Sequence, residues 1–435
     1  MGLENLLNNP SRPVRLAVVR ELGESLKSGY PVSDEVNNHV HSKYSFSPYY
    51  PTMIAVNAAR AGLKAVGIMD HDSISGFKEM IAAGKAINIA TTCGFEMRVN
   101  MTGTAFEGYK TNNPDTENNT YMAVHGVPHT QFVRVESYLR SIKKARYLRD
   151  REEVDNLNKI LASVGLEPLD FDRDVWKISE AKRGGSITER HIVYALSLKL
   201  VERFGKGQGL IDFIEQKMKI AIPEKLQEYL RDPSNPHYEY DLLGVFKGSL
   251  VPEIFVQPNV QGARSVYDAV QFANDIGGIP AYAYLGDVAE SPTGDKKAEK
   301  FEDEYLDDLV PELKKIGFKA ITYMPPRNTK AQLLRLQKLC DQYDLMQISG
   351  VDINSSRQVF NCPEIMQPEF QHLIGATWAL IAHEKLASAE ARYGLFHPDN
   401  PLAAKPLKER IEVYADIGMR IDNRNPESAI DLVNF

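Results

Sequence analysis

The strongest constraint on the fold of this chain is an alternation of short apolar segments with segments of helical periodicity. The apolar segments that resemble strands are residues 36–41, 65–70, 89–99, 279–286, 320–324 and 345–352. Helical segments separate them; one of these is 51–66, with Pro51 in its first turn. Alternating β and α elements are typical of a parallel sheet covered by helices. We therefore predict an α/β fold of the barrel type.

A mainly helical block interrupts this alternation between residues 131 and 255. Strand-like segments return after it, and 435 residues leave room for a barrel with additional parts. The sequence predicts a helical N-terminal extension (1–35), a first barrel part (36–130), a helical insertion (131–255), a second barrel part (256–360) and a helical C-terminal extension (361–435).

Charge and cysteine content argue against several classes of function. The net charge of −7, from 51 basic and 58 acidic residues, gives no overall attraction to nucleic acid. The three cysteines (Cys93, Cys340 and Cys362) are far apart, so neither a zinc ribbon nor a disulfide framework is expected. There is no apolar run of about 18 residues, the length that a membrane span requires. We expect a cytoplasmic protein that binds neither nucleic acid nor membrane, and its oligomeric state stays open.

Ionisable side chains cluster at the ends of the first two predicted strands. His39 and His41 are two residues apart, so on a strand both imidazoles face the same side and can reach one ion. Two surface histidines remain the alternative. Asp70, His71 and Asp72 follow the second strand, where α/β barrels place catalytic residues. Asp72 is equally suited to cap the next helix.

Three later strand ends continue this pattern. Glu96 ends one strand, and its carboxylate is suited to bridge two metal ions. His125 and His129 lie on or just after the next strand-like run, and Asp352 ends the last one, followed by Asn354. Because five separate strand ends carry His, Asp or Glu, the sequence predicts a metal site at the mouth of the barrel.

The ordered motifs HxHS, GIMDHDSISG, GFE, VHG and ISGVDIN resemble those of the polymerase-and-histidinol-phosphatase (PHP) group of metal-dependent phosphoesterases. The resemblance covers about residues 36–130 and 262–357. It implies a distorted (β/α)7 TIM-like barrel that holds up to three divalent ions, which would be Mn, Zn, Fe or Mg. It also implies hydrolysis of a small phosphate monoester, such as a nucleoside or sugar phosphate, by metal-activated water. The inserted helical block is similar to that of the subgroup acting on nucleoside phosphates.

The same resemblance implies a set of ligands. The first ion would take His39, His41, Glu96 and Asp352, and the second would take Glu96, His125 and a histidine that is replaced here by Tyr284. His129 or Asp287 would have to substitute for that histidine. The third ion would take His71 and two groups that are replaced here by Phe46 and Asn354. We therefore expect one or two ions per chain, with Asp70, His71 and Asp352 as catalytic residues.

Substrate contacts are expected from basic and polar groups near the barrel mouth. GGSITERHIVYAL resembles the helix start of the inserted family domain, and it places Arg190 and His191 at a helix N-terminus suited to phosphate. An ordinary capped helix is the alternative. Arg327, after the strand 320–324, and Asn354 complete the predicted set. The basic run 134–151 is interpreted as a solvated helix face.

Two other functions remain open at this point. A degenerate barrel that binds metal and a ligand without catalysis would account for Phe46, Tyr284 and Asn354. A metal-dependent hydrolase of a non-phosphate substrate would use the same HxH pair, although no lysine clearly aligns as a carbamylated bridge.

Overall fold

The computed structural model of the protein describes residues 2–27, 30, 32–113, 116–287 and 301–434. Its described strands are β1 (Val36–Val40), β2 (Ala65–His71), β3 (Ala90–Asn100), β4 (Asn119–His125), β5 (Arg264–Ser265), β6 (Ile279–Ala283), β7 (Ala320–Tyr323) and β8 (Met346–Ser349). Seven of them follow the order β1-β2-β3-β4-β6-β7-β8, and β5 pairs with β3.

The sheet curls into a nearly closed barrel. All neighbouring strands on this path pair in parallel except β4, which is antiparallel to both β3 and β6. An isolated parallel bridge between Val40 and Ile353 joins the end of β1 to the chain just after β8. The prediction of a distorted (β/α)7 TIM-like barrel is confirmed. The carboxyl ends of β1, β2 and β8 are thereby brought together.

Helices cover the barrel and form the block inserted after β4. They are α1 (Leu3–Leu7), α2 (Arg12–Leu22), α3 (Pro51–Arg60), α4 (Phe77–Ile87), α5 (Phe132–Ser163), α6 (Glu189–Phe204), α7 (Gln208–Gln216), α8 (Glu224–Arg231), α9 (Tyr238–Ser249), α10 (Val251–Ile254), α11 (Val266–Asp275), α12 (Leu306–Ile316), α13 (Lys330–Gln342), α14 (His372–Ala389) and α15 (Leu407–Arg420). The helix predicted over 51–66 ends at Arg60, because Gly62 turns the chain at a φ of 81° before β2. None of the described helices has both the length and the apolar character needed to cross a bilayer.

The apolar interior falls into two clusters. The larger fills and surrounds the barrel, and the smaller lies among the inserted helices, with Leu157, Ile192 and Phe246 completely or almost completely buried. Helix α5 belongs to both, since Leu139 packs in the barrel cluster and Leu157 in the insertion cluster. Phe46, in the loop after β1, packs in the insertion cluster rather than in the barrel. The insertion is therefore joined to the barrel by packed side chains, not only by its two connections.

The terminal extensions are fixed to the barrel by buried polar contacts. On α2, Arg15 donates from Nε to Oε1 of Glu79 at 2.7 Å, and both side chains are buried. On α14, Glu384 accepts from the backbone nitrogen of Cys93 at 2.6 Å and pairs with Nε2 of His129 at 2.9 Å. His129 is thus engaged by α14. Because buried charges are stable only when they are paired, both extensions are parts of the folded unit.

Candidate metal centre

Strand register brings four predicted ligands together at the carboxyl end of the barrel. His71 and Glu96 are direct partners in the β2–β3 pairing. The segment after β8 is bonded to the end of β1: the His41 nitrogen donates to the Ile353 carbonyl at 2.9 Å, and the Ile353 nitrogen donates to the His39 carbonyl at 3.1 Å. Backbone pairing therefore aligns His39 and His41 with the loop that carries Asp352, and it aligns His71 with Glu96.

The side chains meet around the Glu96 carboxylate, and we call His39, His41, His71, Glu96 and Asp352 the metal-centre cluster. Three imidazoles approach Glu96: His71 Nδ1 lies 2.9 Å from Oε1, His41 Nε2 3.3 Å from Oε1, and His39 Nε2 3.6 Å from Oε2. On its other side, His41 Nε2 lies 3.1 Å from Oδ1 of Asp352. One atom from each of His39, His41 and Glu96 lies within 4.8 Å of the others, which is close enough for one ion.

The buried imidazole nitrogens of the cluster test whether its residues fit a metal. Nε2 of His39, His41 and His125 and Nδ1 of His71 are buried, and none makes a hydrogen bond of acceptable geometry. A buried polar atom without a hydrogen bond costs roughly 1–3 kcal/mol, so proteins seldom leave one, and here three of the four lie 2.9–3.6 Å from the Glu96 carboxylate. Imidazole nitrogens with carboxylate oxygens are the donors that Zn²⁺, Mn²⁺ and Fe²⁺ take. The residues fit a divalent metal.

The electrostatics of the cluster keep its carboxylates charged. Burial opposes ionisation of Glu96, but His71 and His39 outweigh it and hold the pKa of Glu96 well below its usual range. Burial likewise opposes ionisation of Asp352, but His41, with smaller contributions from His39 and Arg190, holds its pKa well below normal. Burial, assisted by His39, lowers the pKa of His125 to about 3. Ionised carboxylates and neutral imidazole are the forms that bind metal.

Asp70, predicted to be catalytic, lies behind the cluster. It is completely buried, and its carboxylate accepts from the Ser42 nitrogen at 2.7 Å, the Ser42 hydroxyl at 2.6 Å and the Ser45 hydroxyl at 2.7 Å. Ser45 Oγ in turn lies 3.1 Å from Nδ1 of His41. The oxygens of Asp70 thus fix the loop that orients His41, and a catalytic role of Asp70 stays a prediction.

Asn354, predicted to contact substrate or replace an ion ligand, holds Asp352. Its Nδ2 donates to Oδ1 of Asp352 at 2.7 Å, and Gln358 Nε2 donates to the Asp352 carbonyl at 2.6 Å. The oxygen of Asp352 that faces His41 is therefore oriented by its own loop. Asn354 belongs to the support of the ligand, as is usual for groups around a metal site.

The positions implied for the missing ligands contain bonded or packed side chains. The Tyr284 hydroxyl donates to Oδ1 of Asp303 at 2.5 Å. Asp287 Oδ1 accepts from the backbone nitrogens of residues 301, 302 and 303, so it is also engaged. The Phe46 ring packs edge-on against His191 at 4.9 Å. None of these groups, nor His129 under α14, takes the place of a missing histidine in the described structure.

The predicted phosphate groups of the insertion differ in their surroundings. Arg190 is half-buried and close enough to Asp352 to lower its pKa, and among the described residues its guanidinium has no hydrogen-bond or ion-pair partner. His191 is buried, and its Nδ1 accepts from the Thr188 nitrogen at 3.1 Å. Burial lowers the pKa of His191 to about 3, so it is neutral at pH 7. The Nδ1 atom of His191 thus caps the start of α6, and phosphate binding by this residue stays a prediction.

Arg327 lies beyond the carboxyl ends of β6 and β7, as expected from its place after β7. Its Nε donates to the Leu285 carbonyl at 3.2 Å. No contact with the metal-centre cluster is observed within the ranges that the structure describes. Arg327 therefore supports the loop after β6, and the structure does not bring it together with Arg190.

Sequence reasoning missed two groups of supporting residues. The hydroxyls of Ser42 and Ser45 were not singled out, although Ser42 follows His41 directly and Ser45 lies one turn further on. The basic run 134–151 was interpreted as solvated, but Arg146 and Arg149 are only 5% and 7% exposed. Their three-residue spacing places both on one face of α5, a signal that marks a shared face but not its burial.

Comparisons with known proteins match the part of the chain that carries most of this site. Residues 37–230 match the family model of the PHP domain. A protein described as a metal-dependent phosphoesterase from Bifidobacterium adolescentis has a similar solved structure (17% identity, TM-score 0.49, covering 76% of this chain and 94% of that chain). So has an amidohydrolase from Chromobacterium violaceum with bound sulfate (17% identity, TM-score 0.49, 78% and 96%). No curated protein matches the chain.

The matched stretch runs from β1 into α8 and contains His39, His41, His71, Glu96 and His125, whereas Asp352 lies outside it. Predicted ligands on or next to β1, β2, β3 and β4 thus lie within the family match, and the last strand of the barrel leads to the remaining predicted ligand, Asp352. Residues 37–230, which carry the strands β1 to β4, are thus the part of this chain that matches the PHP domain family model.

Proposed function

We propose that the protein is a metal-dependent hydrolase, and specifically a phosphoesterase that acts on a small phosphate monoester. The observation that carries the proposal is the set of buried imidazole nitrogens without hydrogen bonds around Glu96. Such a set is costly to fold unless a ligand satisfies it, and a divalent cation satisfies imidazole and carboxylate together.

His39, His41, Glu96 and Asp352 would hold the first ion, and His71 and His125 are the imidazoles left for a second that shares Glu96. We propose one or two ions per chain. Divalent ions supply a Lewis acid that activates water and neutralises charge on a phosphoryl group. Asp70 with Ser45, and Asn354 with Gln358, hold His41 and Asp352 in place.

Arg190 is the residue that we propose for binding the phosphate. Its guanidinium has no partner among the described residues, it is half-buried, and it lies near Asp352 at the edge of the cluster. A guanidinium in this setting suits bidentate binding of a phosphoryl group. The other predicted contacts, Arg327 and Asn354, already bond to protein groups, so substrate binding is assigned to Arg190 alone.

A panel of phosphate monoesters, including nucleoside and sugar phosphates, tests this function with Mn²⁺-loaded protein. Release of inorganic phosphate by wild type, abolished in Glu96→Gln, is expected. For Arg190→Met we expect a KM raised by about tenfold, since a charged hydrogen bond contributes roughly 1.5–3 kcal/mol. A metal-loaded wild type that hydrolyses no member of the panel would contradict the phosphoesterase assignment.

Assays of the same metal-loaded protein distinguish two alternative functions from the phosphoesterase. Phe46 and Tyr284 at implied ligand positions favour a module that binds metal and ligand without catalysis. A panel of amides and lactones tests hydrolysis of a non-phosphate substrate. Metal binding without turnover on either panel would support the binding module.

A further inference from the structure

The helical insertion contacts the backbone and loops that carry the metal-centre cluster. From the loop before α6, the Ser186 hydroxyl donates to the His71 carbonyl at 2.6 Å, and the Ser186 nitrogen donates to the Tyr44 carbonyl at 2.7 Å. In the loop after β8, Arg357 Nη2 donates to Oδ2 of Asp241 on α9 at 2.7 Å. The insertion is therefore bonded to the end of β2 and to the loops after β1 and β8, and each of these segments bears a predicted ligand.

The most strained of these connections is at Asp72, the residue after His71. Asp72 has a φ of 49°, a left-handed conformation that is uncommon for a residue with a side chain. It is completely buried, and its nitrogen donates to the Glu96 carbonyl at 2.8 Å. Its conformation therefore sets how the backbone leaves His71 next to Glu96. A strained residue persists only where its surroundings hold it.

Arg146 on α5 holds the Asp72 side chain. Its Nε donates to Oδ2 of Asp72 at 2.7 Å, and Nη1 lies 3.7 Å from Oε2 of Glu189. Glu189 also accepts from Arg149 at 2.7 Å and from Arg98 on β3 at 2.9 Å. All of these side chains are buried, so the ion pairs among them are only weakly screened by solvent. The guanidinium of Arg146 is thus fixed at both ends.

We propose that Arg146 is a positioning residue for the metal centre, acting through Asp72 on the orientation of His71 against Glu96. Arg146 also contacts Glu189, the first residue of α6. It thereby fixes His71 relative to Arg190, the next residue along that helix. This proposal rests on the proposed metal binding. It assigns the insertion a second task besides contacting substrate, namely to set the geometry of the site in the barrel.

The chemistry of the side chain explains why arginine occupies this position. One planar guanidinium reaches Asp72 with Nε and Glu189 with Nη1. A lysine has a single ammonium group and does not reproduce both contacts in a fixed plane. Arg146→Lys therefore keeps the positive charge but loses the planar group that makes both contacts. Asp72→Asn keeps the shape of the partner side chain but removes its negative charge.

The test measures metal binding directly, on full-length protein stripped with chelator. Mn²⁺ affinity is measured by calorimetry, and ligand geometry is read from the visible absorption of the Co²⁺-loaded protein. We expect Arg146→Lys, Arg146→Met and Asp72→Asn to weaken Mn²⁺ binding by about 10–100-fold, as is typical when groups around a metal site are lost. We also expect a changed Co²⁺ spectrum and a double variant Arg146→Met/Asp72→Asn no weaker than the worse single variant.

Arg149→Met is the matched control, because Arg149 is equally buried on the same helix and binds Glu189 but not Asp72. It is expected to unfold at a lower temperature and to keep wild-type Mn²⁺ affinity and Co²⁺ spectrum. If Arg146→Met does not fold, Arg146→Lys and Asp72→Asn carry the test. Wild-type affinity in those two variants overturns the proposal, as does an equal loss in Arg149→Met. Wild type that binds no metal overturns the proposed function itself, which is a separate result.

Discussion

Two of the clusters of ionisable side chains among the described residues differ in how completely their hydrogen bonds are made. In the metal-centre cluster, the imidazole nitrogens that face Glu96 make no hydrogen bonds. In a second cluster, built from Tyr282, Tyr284, Asp287, Glu302 and Asp303 and called here the closed cluster, each of the carboxylates has hydrogen-bond donors. The first cluster leaves nitrogens that a ligand can bind, whereas the carboxylates of the second already accept hydrogen bonds from the protein.

The closed cluster joins the end of β6 to Glu302 and Asp303 by hydrogen bonds. Glu302 accepts from the Tyr282 hydroxyl and, through Oε2, from the nitrogens of Leu285 and Gly286 at 3.0 and 2.7 Å. Asp303 accepts from Tyr284 at 2.5 Å and, through Oδ2, from Gln332 Nε2 at 2.6 Å. The Tyr284 hydroxyl, at a position where the resemblance implies an ion ligand, is therefore hydrogen-bonded within the fold.

Ionisation behaves oppositely in the two clusters. Imidazoles hold the pKa of Glu96 well below normal, whereas burial, with a smaller contribution from Asp303, raises the pKa of Glu302 to about 7. Both carboxylates are buried, so the difference lies in the partners and not in the depth. A buried carboxylate is thus held ionised beside imidazoles in one cluster and is held by hydrogen bonds with a raised pKa in the other, and its partners decide which.

The largest effect is expected from the centre of the metal-centre cluster. Glu96→Gln removes the charge that three imidazoles share, while the amide keeps the shape of the side chain. We expect metal affinity to fall by on the order of 1,000-fold, because a carboxylate ligand contributes several kcal/mol. Isothermal calorimetry with Mn²⁺ measures this. A variant that binds as tightly as wild type would remove Glu96 from the ligand set.

A smaller effect is expected from the support behind His41. Ser45→Ala removes the hydroxyl that lies between Asp70 and Nδ1 of His41. Loss of such an outer contact typically costs 10–100-fold in metal affinity or activity, or about 1.4–2.7 kcal/mol. The same titration checks it, with Ser47→Ala, a neighbouring buried serine, as the control. Equal affinity in the two variants would contradict the orienting role of Ser45.

A substitution in the closed cluster should change stability and leave metal binding intact. Tyr284→Phe removes the hydrogen bond to Asp303 and leaves that carboxylate with fewer donors. We expect a loss of about 1–3 kcal/mol in the free energy of unfolding. Denaturant titration measures it, alongside Mn²⁺ affinity that equals that of wild type. Metal affinity that falls with this hydroxyl would show that the two clusters act as one site.

The closed cluster should also make stability depend on pH. Because the pKa of Glu302 rises from 4.5 to about 7 on folding, its protonated form favours the folded state. That contribution, about 3 kcal/mol, is fully present below pH 4.5 and is lost as pH rises through 7. In Glu302→Gln, the free energy of unfolding should depend less on pH between 5 and 8. An unchanged slope would contradict protonation of this carboxyl.

The sequence predicted the barrel because its strands are short, apolar and regularly interrupted, and β/α periodicity survives without tertiary information. It also predicted that His39, His41, Glu96 and Asp352 belong together, and strand register brings their side chains to one place. Strand ends are the positions where spacing along the chain translates most directly into position in space.

Which of the two sides of each strand end faces the cluster was beyond the sequence. Asp70 and His71 are adjacent, yet one lies behind the cluster and the other in it, because successive residues of a strand face opposite sides. His191 was expected to bind phosphate because it lies at a helix start, but Thr188 occupies its ring nitrogen. The burial of Arg146 depends on packing between the barrel and the insertion, which no local pattern encodes.

Metal content of the purified protein is the most direct test of the central claim. Elemental mass spectrometry would compare wild type, His39→Ala/His41→Ala and Tyr284→Phe after loading with Mn²⁺ and removal of free ion. We predict one or two ions per chain in wild type and Tyr284→Phe, and at least one fewer in the double histidine variant. Wild type without bound metal, or a double histidine variant with the wild-type content, would contradict the account.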